Sequence, residues 1–162
     1  IVRTAWLNGV HGNNFVKTML RLGKEREEIR VVDDQRGCPT FAEDLAAALW
    51  TICKGLREGL KTAWGTYHFC NAGETSWHGL AEAIFAVAGK YEDFQVQRIV
   101  PISTAEYPTA AARPKHSVLD CTRIEQFFGV RRRPWREALE NMLQRLYTEQ
   151  IESSEHREGR GQ

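Results

Sequence analysis

The chain has 162 residues, with 22 Lys and Arg set against 21 Asp and Glu, for a formal net charge of +1. That balance offers no electrostatic case for a nucleic-acid or membrane-surface partner, and no apolar run is long enough to span a bilayer. The length suits about one domain with a real core.

Residues 1 to 8 read as a strand. Asn13 or Asn14 then caps a helix in which Phe15, Met19 and Leu22 recur at helical spacing. Residues 29 to 32 predict a second strand. Thr40-x-x-Glu43 is a capping box, and Phe41, Leu45, Ala48, Leu49, Ile52, Cys53 and Leu56 hold one face of the helix that follows. Residues 66 to 70 predict a third strand. After Gly73-Glu74-Thr75-Ser76, the positions Trp77, Leu80, Ala81, Ile84, Phe85 and Ala88 step by three and four until Gly89 ends the helix. A strand near 96 to 102 leads into a long Pro-containing loop, 103 to 118. The only basic run, Arg131-Arg132-Arg133, reads as a solvated loop before Pro134, which opens a helix with Trp135, Ala138, Leu139, Met142, Leu143, Leu146 and Tyr147 on one stripe. Burial of such side chains contributes roughly 1.5 to 3 kcal/mol each before entropy is charged, so these helices must pack on shared sheets. The class is α/β, without internal repeats.

Cysteines at 38, 53, 70 and 121 show no Cys-x-x-Cys spacing, and the five histidines make no ligand pattern around them. Cys53 on the apolar helix face and Cys70 in an apolar strand read as buried, reduced thiols. Gly-x-Ser-x-Gly, Walker A and His-Glu-x-x-His are all absent, which removes support for hydrolase, NTPase and zincin readings.

The most informative block is Arg30-Val31-Val32-Asp33-Asp34-Gln35-Arg36-Gly37-Cys38-Pro39-Thr40-Phe41-Ala42-Glu43-Asp44, which joins a strand, a Gly-x-Pro turn and a capped helix. With Val2-Arg3-Thr4-Ala5-Trp6-Leu7, Gly12-Asn13-Asn14-Phe15-Val16-Lys17-Thr18-Met19-Leu20, Ala112-Arg113-Pro114 and Ser117-Val118-Leu119-Asp120, it resembles the C-terminal half of the dTDP-4-dehydrorhamnose reductase family, extended short-chain dehydrogenases/reductases. The resemblance runs from residue 1 to about residue 150. It implies the end of a Rossmann sheet plus the substrate-binding domain over 1–150, followed by a polar tail, 151–162, expected to be disordered.

Family members use NADPH or NADH, held at a Gly-rich turn, and a Tyr with a Lys four residues on as acid and pKa-lowering partner. Gly9-x-x-Gly12 is the nearest approach to that turn. The residues four after Tyr67, Tyr91, Tyr107 and Tyr147 are Asn71, Gln95, Ala111 and Ile151. The chain also opens on Ile1-Val2-Arg3-Thr4-Ala5-Trp6, the middle of a strand without Met, so it reads as a fragment with no catalytic residue of its own. Its place is a cytoplasmic sugar-nucleotide enzyme, and apolar faces uncovered by the loss of the N-terminal sheet predict a homo-oligomer.

By the same resemblance, the dTDP-sugar substrate meets Trp6, Asn13, Asn14, Phe15, Thr40, Arg113 and Ser117. Each has a structural rival: a core Trp for Trp6, helix capping for either Asn and for Thr40. Free N–H groups at the helix start beside Asn13-Asn14-Phe15 suit an anion, and the Arg113 guanidinium fits a diphosphate bidentately. Asn8 stands where the family usually has Tyr. Glu43 and Glu149 match positions that approach Mg²⁺ at a dimer interface in some members, although capping and surface placement account for them equally. A non-catalytic relative, like the regulatory β subunit of methionine adenosyltransferase, is the alternative; an epimerase or dehydratase of the wider family fits the Trp6 and Gly37-to-Thr40 blocks less well.

Overall fold

In the computed structural model the described residues are 1–60, 64–109, 111 and 113–158, with 150–158 as backbone only. Ala112 and residues 159–162 lie outside them. The chain begins with two short strands, β1 (Val2–Arg3) and β2 (Leu7–Asn8), and the helix α1 (Phe15–Glu25). Next come β3 (Glu28–Val32), β4 (Arg36–Gly37), β5 (Thr40–Phe41) and helix α2 (Ala42–Arg57). Strands β6 (Tyr67–His68) and β7 (Thr75–Ser76) precede α3 (Trp77–Ala88) and β8 (Arg98–Ile102). A 3-10 turn (Thr104–Glu106), α4 (Thr122–Phe128) and α5 (Trp135–Glu158) complete the chain.

Pairing is mostly parallel, as crossover helices require. Strand β1 lies beside β6, β2 beside β5, and β3 beside β8, while β4 and β7 run antiparallel. In the longest pair, Glu28 to Val32 register residue for residue with Arg98 to Ile102.

Two apolar clusters result. In the larger, Val16 of α1, Leu80 and Ile84 of α3, and Leu139 and Leu143 of α5 are fully buried around Ile29 and Val31 of β3. The smaller gathers Tyr67, Phe69, Cys70, Ile124 and Val130 under α2 and α4. Local signals explain the helix ends. Asn14 caps α1 by accepting from the Lys17 N–H at 3.1 Å, and Ser76 caps α3 by accepting from Gly79 at 2.9 Å.

Several expectations are corrected. The strand read over residues 1 to 8 is broken at Trp6, which has φ 50°. Thr40 does not cap α2; its hydroxyl is drawn to the Ala5 carbonyl at 2.6 Å as β5 pairs with β2, and Phe41 takes the cap position without a side-chain bond. Cys53 is exposed, because the buried line of α2 runs through Ala48 with Leu45 and Ile52 beside it. The basic run is not a solvated loop throughout: Arg132 pairs with Glu125 at 2.6 Å and Arg133 with Asp44 at 2.9 Å. Asp44 comes from 89 residues away, and Glu125 lies on α4, a helix the sequence reading did not find, so local reading misses both. Helix α4, unread in the sequence, is a seven-residue helix closed by Gly129 at φ 64°. Helix α5 continues to Glu158, where a disordered tail was expected from residue 151; adding turns to a formed helix is cheap, and Glu and Arg favour it.

The two clusters meet at Asn71, a wholly buried amide at the end of the β6 segment. Its Oδ1 accepts from the Phe41 N–H at 2.9 Å, and its Nδ2 donates to Asp44 Oδ2 at 2.6 Å and to the Arg133 carbonyl at 3.1 Å. One residue thereby ties the start of α2 to the approach of α5. Replacing Asn71 by Leu keeps the volume but strands those buried groups, so urea unfolding should show a loss of about 2–4 kcal/mol; a change below ~1 kcal/mol would show that water replaces the amide.

Candidate functional site: a strained tryptophan stack beneath a long loop

Trp6 is the one non-glycine residue at positive φ among those described. Such backbone costs of order 1 kcal/mol or more and persists only where its surroundings over-determine it. Here they do. The Trp6 carbonyl accepts from the Thr40 N–H at 3.0 Å and from Asn8 Nδ2 at 2.8 Å. Asn8 Oδ1 also accepts from the Val16 N–H at 3.4 Å, so this buried Asn links the strained residue to α1.

The twist turns the indole out of the strand plane and onto Trp77, with ring centroids 3.6 Å apart and planes 10° from parallel. Phe15 leans on the far indole at 4.7 Å and 50°. Gly37 lies under Trp6: an added Cβ would stand 2.4 Å from its Cε2, which explains why only glycine fits there. The stack is half-buried, leaving aromatic surface for a flat apolar face of a ligand. Trp77 Nε1 donates to Gln35 Oε1 at 3.3 Å, and Gln35 Nε2 to Thr104 Oγ1 at 3.1 Å, carrying the support to the start of the long loop.

That loop returns along β4. Arg36 N–H donates to the Lys115 carbonyl at 2.7 Å, and Ser117 donates to the Arg36 carbonyl through N–H at 2.8 Å and through Oγ at 3.1 Å. Arg36 pairs with Glu74 at 2.9 Å, and His116 Nε2 lies 3.9 Å from the same carboxylate. Arg113 is exposed on the loop beyond these anchors.

Of the residues selected from the sequence, the fold therefore brings Trp6, Phe15 and Thr40 together, with Ser117 fastening the loop beside Gly37. Asn13 is exposed, and Asn14 is spent on the α1 cap and on the Gly9 carbonyl, to which its Nδ2 donates at 2.7 Å. The N–H groups at the start of α1 are not free for an anion as expected: Val16 and Lys17 donate to Asn8 and Asn14 side chains. Glu43 and Glu149 do converge, but on Arg145, at 3.5 Å and 3.4 Å. A guanidinium already neutralises the pair, and among the described residues no three metal-ligating side chains meet; the donor set does not fit Mg²⁺. Trp77, Gln35 and Arg36 were not singled out from the sequence. Trp77 reads there as one more member of the α3 stripe, and its only distinguishing signal is its place directly after the Ser76 cap.

Parallel strands joined through helices, with an aromatic stack at a strand end and a long loop tied beside it, place these groups where open α/β sheets take ligands. The chain belongs to the RmlD substrate binding domain family, whose model matches residues 1–148. It is 46% identical over 151 residues to a dTDP-4-dehydrorhamnose reductase of Aggregatibacter actinomycetemcomitans, covering 92% of this chain and 50% of that protein. A dTDP-4-dehydrorhamnose reductase of Clostridium acetobutylicum superposes with a TM-score of 0.80 at 40% identity, over 90% of this chain and 48% of that one. A Bacillus anthracis dTDP-4-dehydrorhamnose reductase, solved in complex with NADP, gives 0.73 at 45% identity, over 88% and 47%. A UDP-N-acetylglucosamine 4-epimerase of Bacillus cereus, 15% identical, shares the fold with a TM-score of 0.63. The chain spans about half the length of the curated relatives it matches.

Both ends of the long loop hang on carboxylates. The Thr104 hydroxyl, at 2.6 Å, holds Asp34 below the usual carboxylate range, and Thr122 does the same for Asp120. A folded-state pKa below the unfolded value stabilises at pH above the usual range of about 4 and is lost as pH falls through the lowered value. Hydrogen exchange at the Thr104 and Thr122 amides, corrected for intrinsic rates, should therefore accelerate on acidification below pH ~4. Asp34→Asn and Asp120→Asn variants should lack that dependence.

Proposed function

We propose that this chain is the sugar-nucleotide-gripping portion, residues 1–150, of a dTDP-4-dehydrorhamnose reductase, which reduces dTDP-4-dehydro-L-rhamnose to dTDP-L-rhamnose with NADPH or NADH. The observation that carries the reading is the Trp6–Trp77 stack, held at a costly φ directly over Gly37. Strain kept at a half-buried aromatic, with glycine clearing the space beneath it, is what a stacking surface for a sugar ring requires. Family membership and the relatives at 46% and 40% identity support the same substrate class.

In this reading the exposed rim of the Trp6–Trp77 stack meets the deoxysugar. Gly37 makes room for the Trp6 indole, Phe15 and Thr40 fix the stack, and Ser117 fastens the loop that carries Arg113 toward the diphosphate. The Arg113 guanidinium supplies a bidentate charge-assisted contact there. Asn8, where the family usually has Tyr, spends both ends of its amide on Trp6 and Val16 and so acts as a positioning residue.

The nicotinamide cofactor does not fit these residues. The turn from β2 to α1, Gly9-Val10-His11-Gly12-Asn13-Asn14, has its carbonyls tied to Asn14 and Lys17 and its leading helix N–H groups already accepted. No Tyr here is followed four residues later by Lys. In this reading hydride transfer and protonation fall to the half of the reductase that these residues do not span, and the chain alone should not turn over substrate. A cytoplasmic setting is proposed together with the substrate class. Among the described residues no helix is long and apolar enough to cross a membrane.

Calorimetric titration with dTDP-L-rhamnose, dTDP and NADPH tests this reading. Saturable binding of the dTDP ligands that weakens roughly tenfold or more in Arg113→Ala, with the sugar increment lost in Trp6→Ala, is the expected result. NADPH binding as tight as that of dTDP-L-rhamnose would overturn it. A homo-oligomer is proposed as well, because Trp50 and Trp64 stand 71% and 78% exposed, with Leu49 beside Trp50 on α2. Light scattering at micromolar concentration should report more than one chain; a monodisperse monomer would refute it.

A further inference from the structure

Three of the four cysteines, far apart in sequence, meet in the smaller apolar cluster. Cys70, at the end of the β6 segment, is wholly buried, and its Sγ lies 3.5 Å from that of Cys121 at the start of α4. Cys38, in the Gly37-to-Thr40 turn, is buried in the same cluster. Cys121 Sγ donates to the Leu119 carbonyl at 3.6 Å, so a residue just past the long loop braces this thiol. Arg132 brings a guanidinium to 4.0 Å from Cys70 Sγ while pairing with Glu125.

We propose that Cys70 and Cys121 form a thiol-oxidation site that closes to an intrachain disulfide, pinning the far end of the 103–118 loop to the β6 segment. This goes beyond the function proposed above and does not depend on it. The sulfurs need only approach by about 1.5 Å to reach the S–S length of about 2.05 Å. Ordinary core packing asks for apolar volume, which Ala or Val supplies. It does not ask for three sulfurs gathered in one cluster beside a cation, which favours a thiolate. In keeping with this, donation from Cys70 lowers Cys38 and Cys121 to about 7, whereas Cys70, the donor, is pushed up.

The chemistry balances with a peroxide as oxidant. The Cys121 thiolate attacks one peroxide oxygen; an S–O bond forms, the O–O bond breaks, and the departing oxygen takes a proton and leaves as water or alcohol. Cys70 sulfur then attacks the resulting sulfenic acid; the S–S bond forms, the S–O bond breaks, and hydroxide leaves with the Cys70 proton as water. Two electrons pass from the two sulfurs to the peroxide. Hydrogen peroxide is small enough to enter when the seven-residue α4, which covers Cys121, frays. The link closes a span of 51 residues that includes Arg113 and Ser117.

The test titrates the chain carrying Cys53→Ser, which removes the exposed thiol, with hydrogen peroxide. Free thiols are counted after denaturation, and linked peptides are mapped by mass. The expected result is loss of two thiols without a change in oligomer size, a Cys70–Cys121 peptide pair, and full recovery with dithiothreitol. Cys121→Ser should keep its thiols under the same titration; should that variant fail to fold, the peptide map of the Cys53→Ser chain still decides. Cys70 and Cys121 remaining reduced, advancing to sulfinic acids without linking, or yielding to a Cys38–Cys70 link would each overturn the assignment.

Discussion

The structure depends first on the buried amide of Asn71. A parallel α/β arrangement makes its strands from segments distant in sequence, and their ends must be brought into register by something other than a hairpin turn. Asn71 does this by accepting from the Phe41 N–H while donating to Asp44 and to the Arg133 carbonyl. The Arg133–Asp44 ion pair closes the same knot. Arg133 Nε is left without a partner there, the one such buried side-chain atom among the described residues. An unpaired amide in that position would be costly, and this cost makes the three-way junction specific: an apolar residue would fill the space without choosing the segments that meet.

From that junction the geometry of the site follows. With α2 held at Phe41, β5 lies beside β2, and Thr40 can reach the Ala5 and Trp6 main chain. Those bonds hold the left-handed Trp6, and the left-handed backbone aims the indole at Trp77. Trp77 is in turn set by the Ser76 cap at the start of α3, and α3 is anchored by Leu80 and Ile84 in the larger core. The stack is thus the terminus of a chain of constraints running from both cores. Rigidity of this origin fixes the two indoles relative to both cores, as preorganisation of any binding surface requires.

The loop beside the stack is secured differently, by polar contacts at its margins: Asp34 with Thr104, Arg36 with Ser117, and Asp120 with Thr122. Such half-exposed bonds are individually modest, so the loop is held less firmly than the stack. The cysteine cluster lies just beneath the loop's far end. Its position there, rather than within the larger core, makes the oxidation state of two sulfurs a means of changing how firmly the loop is held.

The sequence by itself determined the α/β class, the cap of α1, the stripes of α3 and α5 and the family blocks around Trp6 and Gly37, because these are short-range signals: periodicity, a cap residue, a glycine. Tertiary structure alone decided the rest. Trp77 looks like any stripe residue until the turn at Trp6 brings a second indole onto it. Thr40 satisfies a capping pattern, yet its hydroxyl finds a better acceptor in the Ala5 carbonyl, 35 positions away. Arg132 and Arg133 read as solvated, and become half-buried because Glu125 of α4 and Asp44 of α2 meet them. Glu43 and Glu149 suggest a cation site, and the cation between them is Arg145. The three sulfurs show no spacing motif at all. In most of these the deciding partner is remote in sequence, and local propensity carries no information about which distant group will fill a hydrogen-bonding or ion-pairing need.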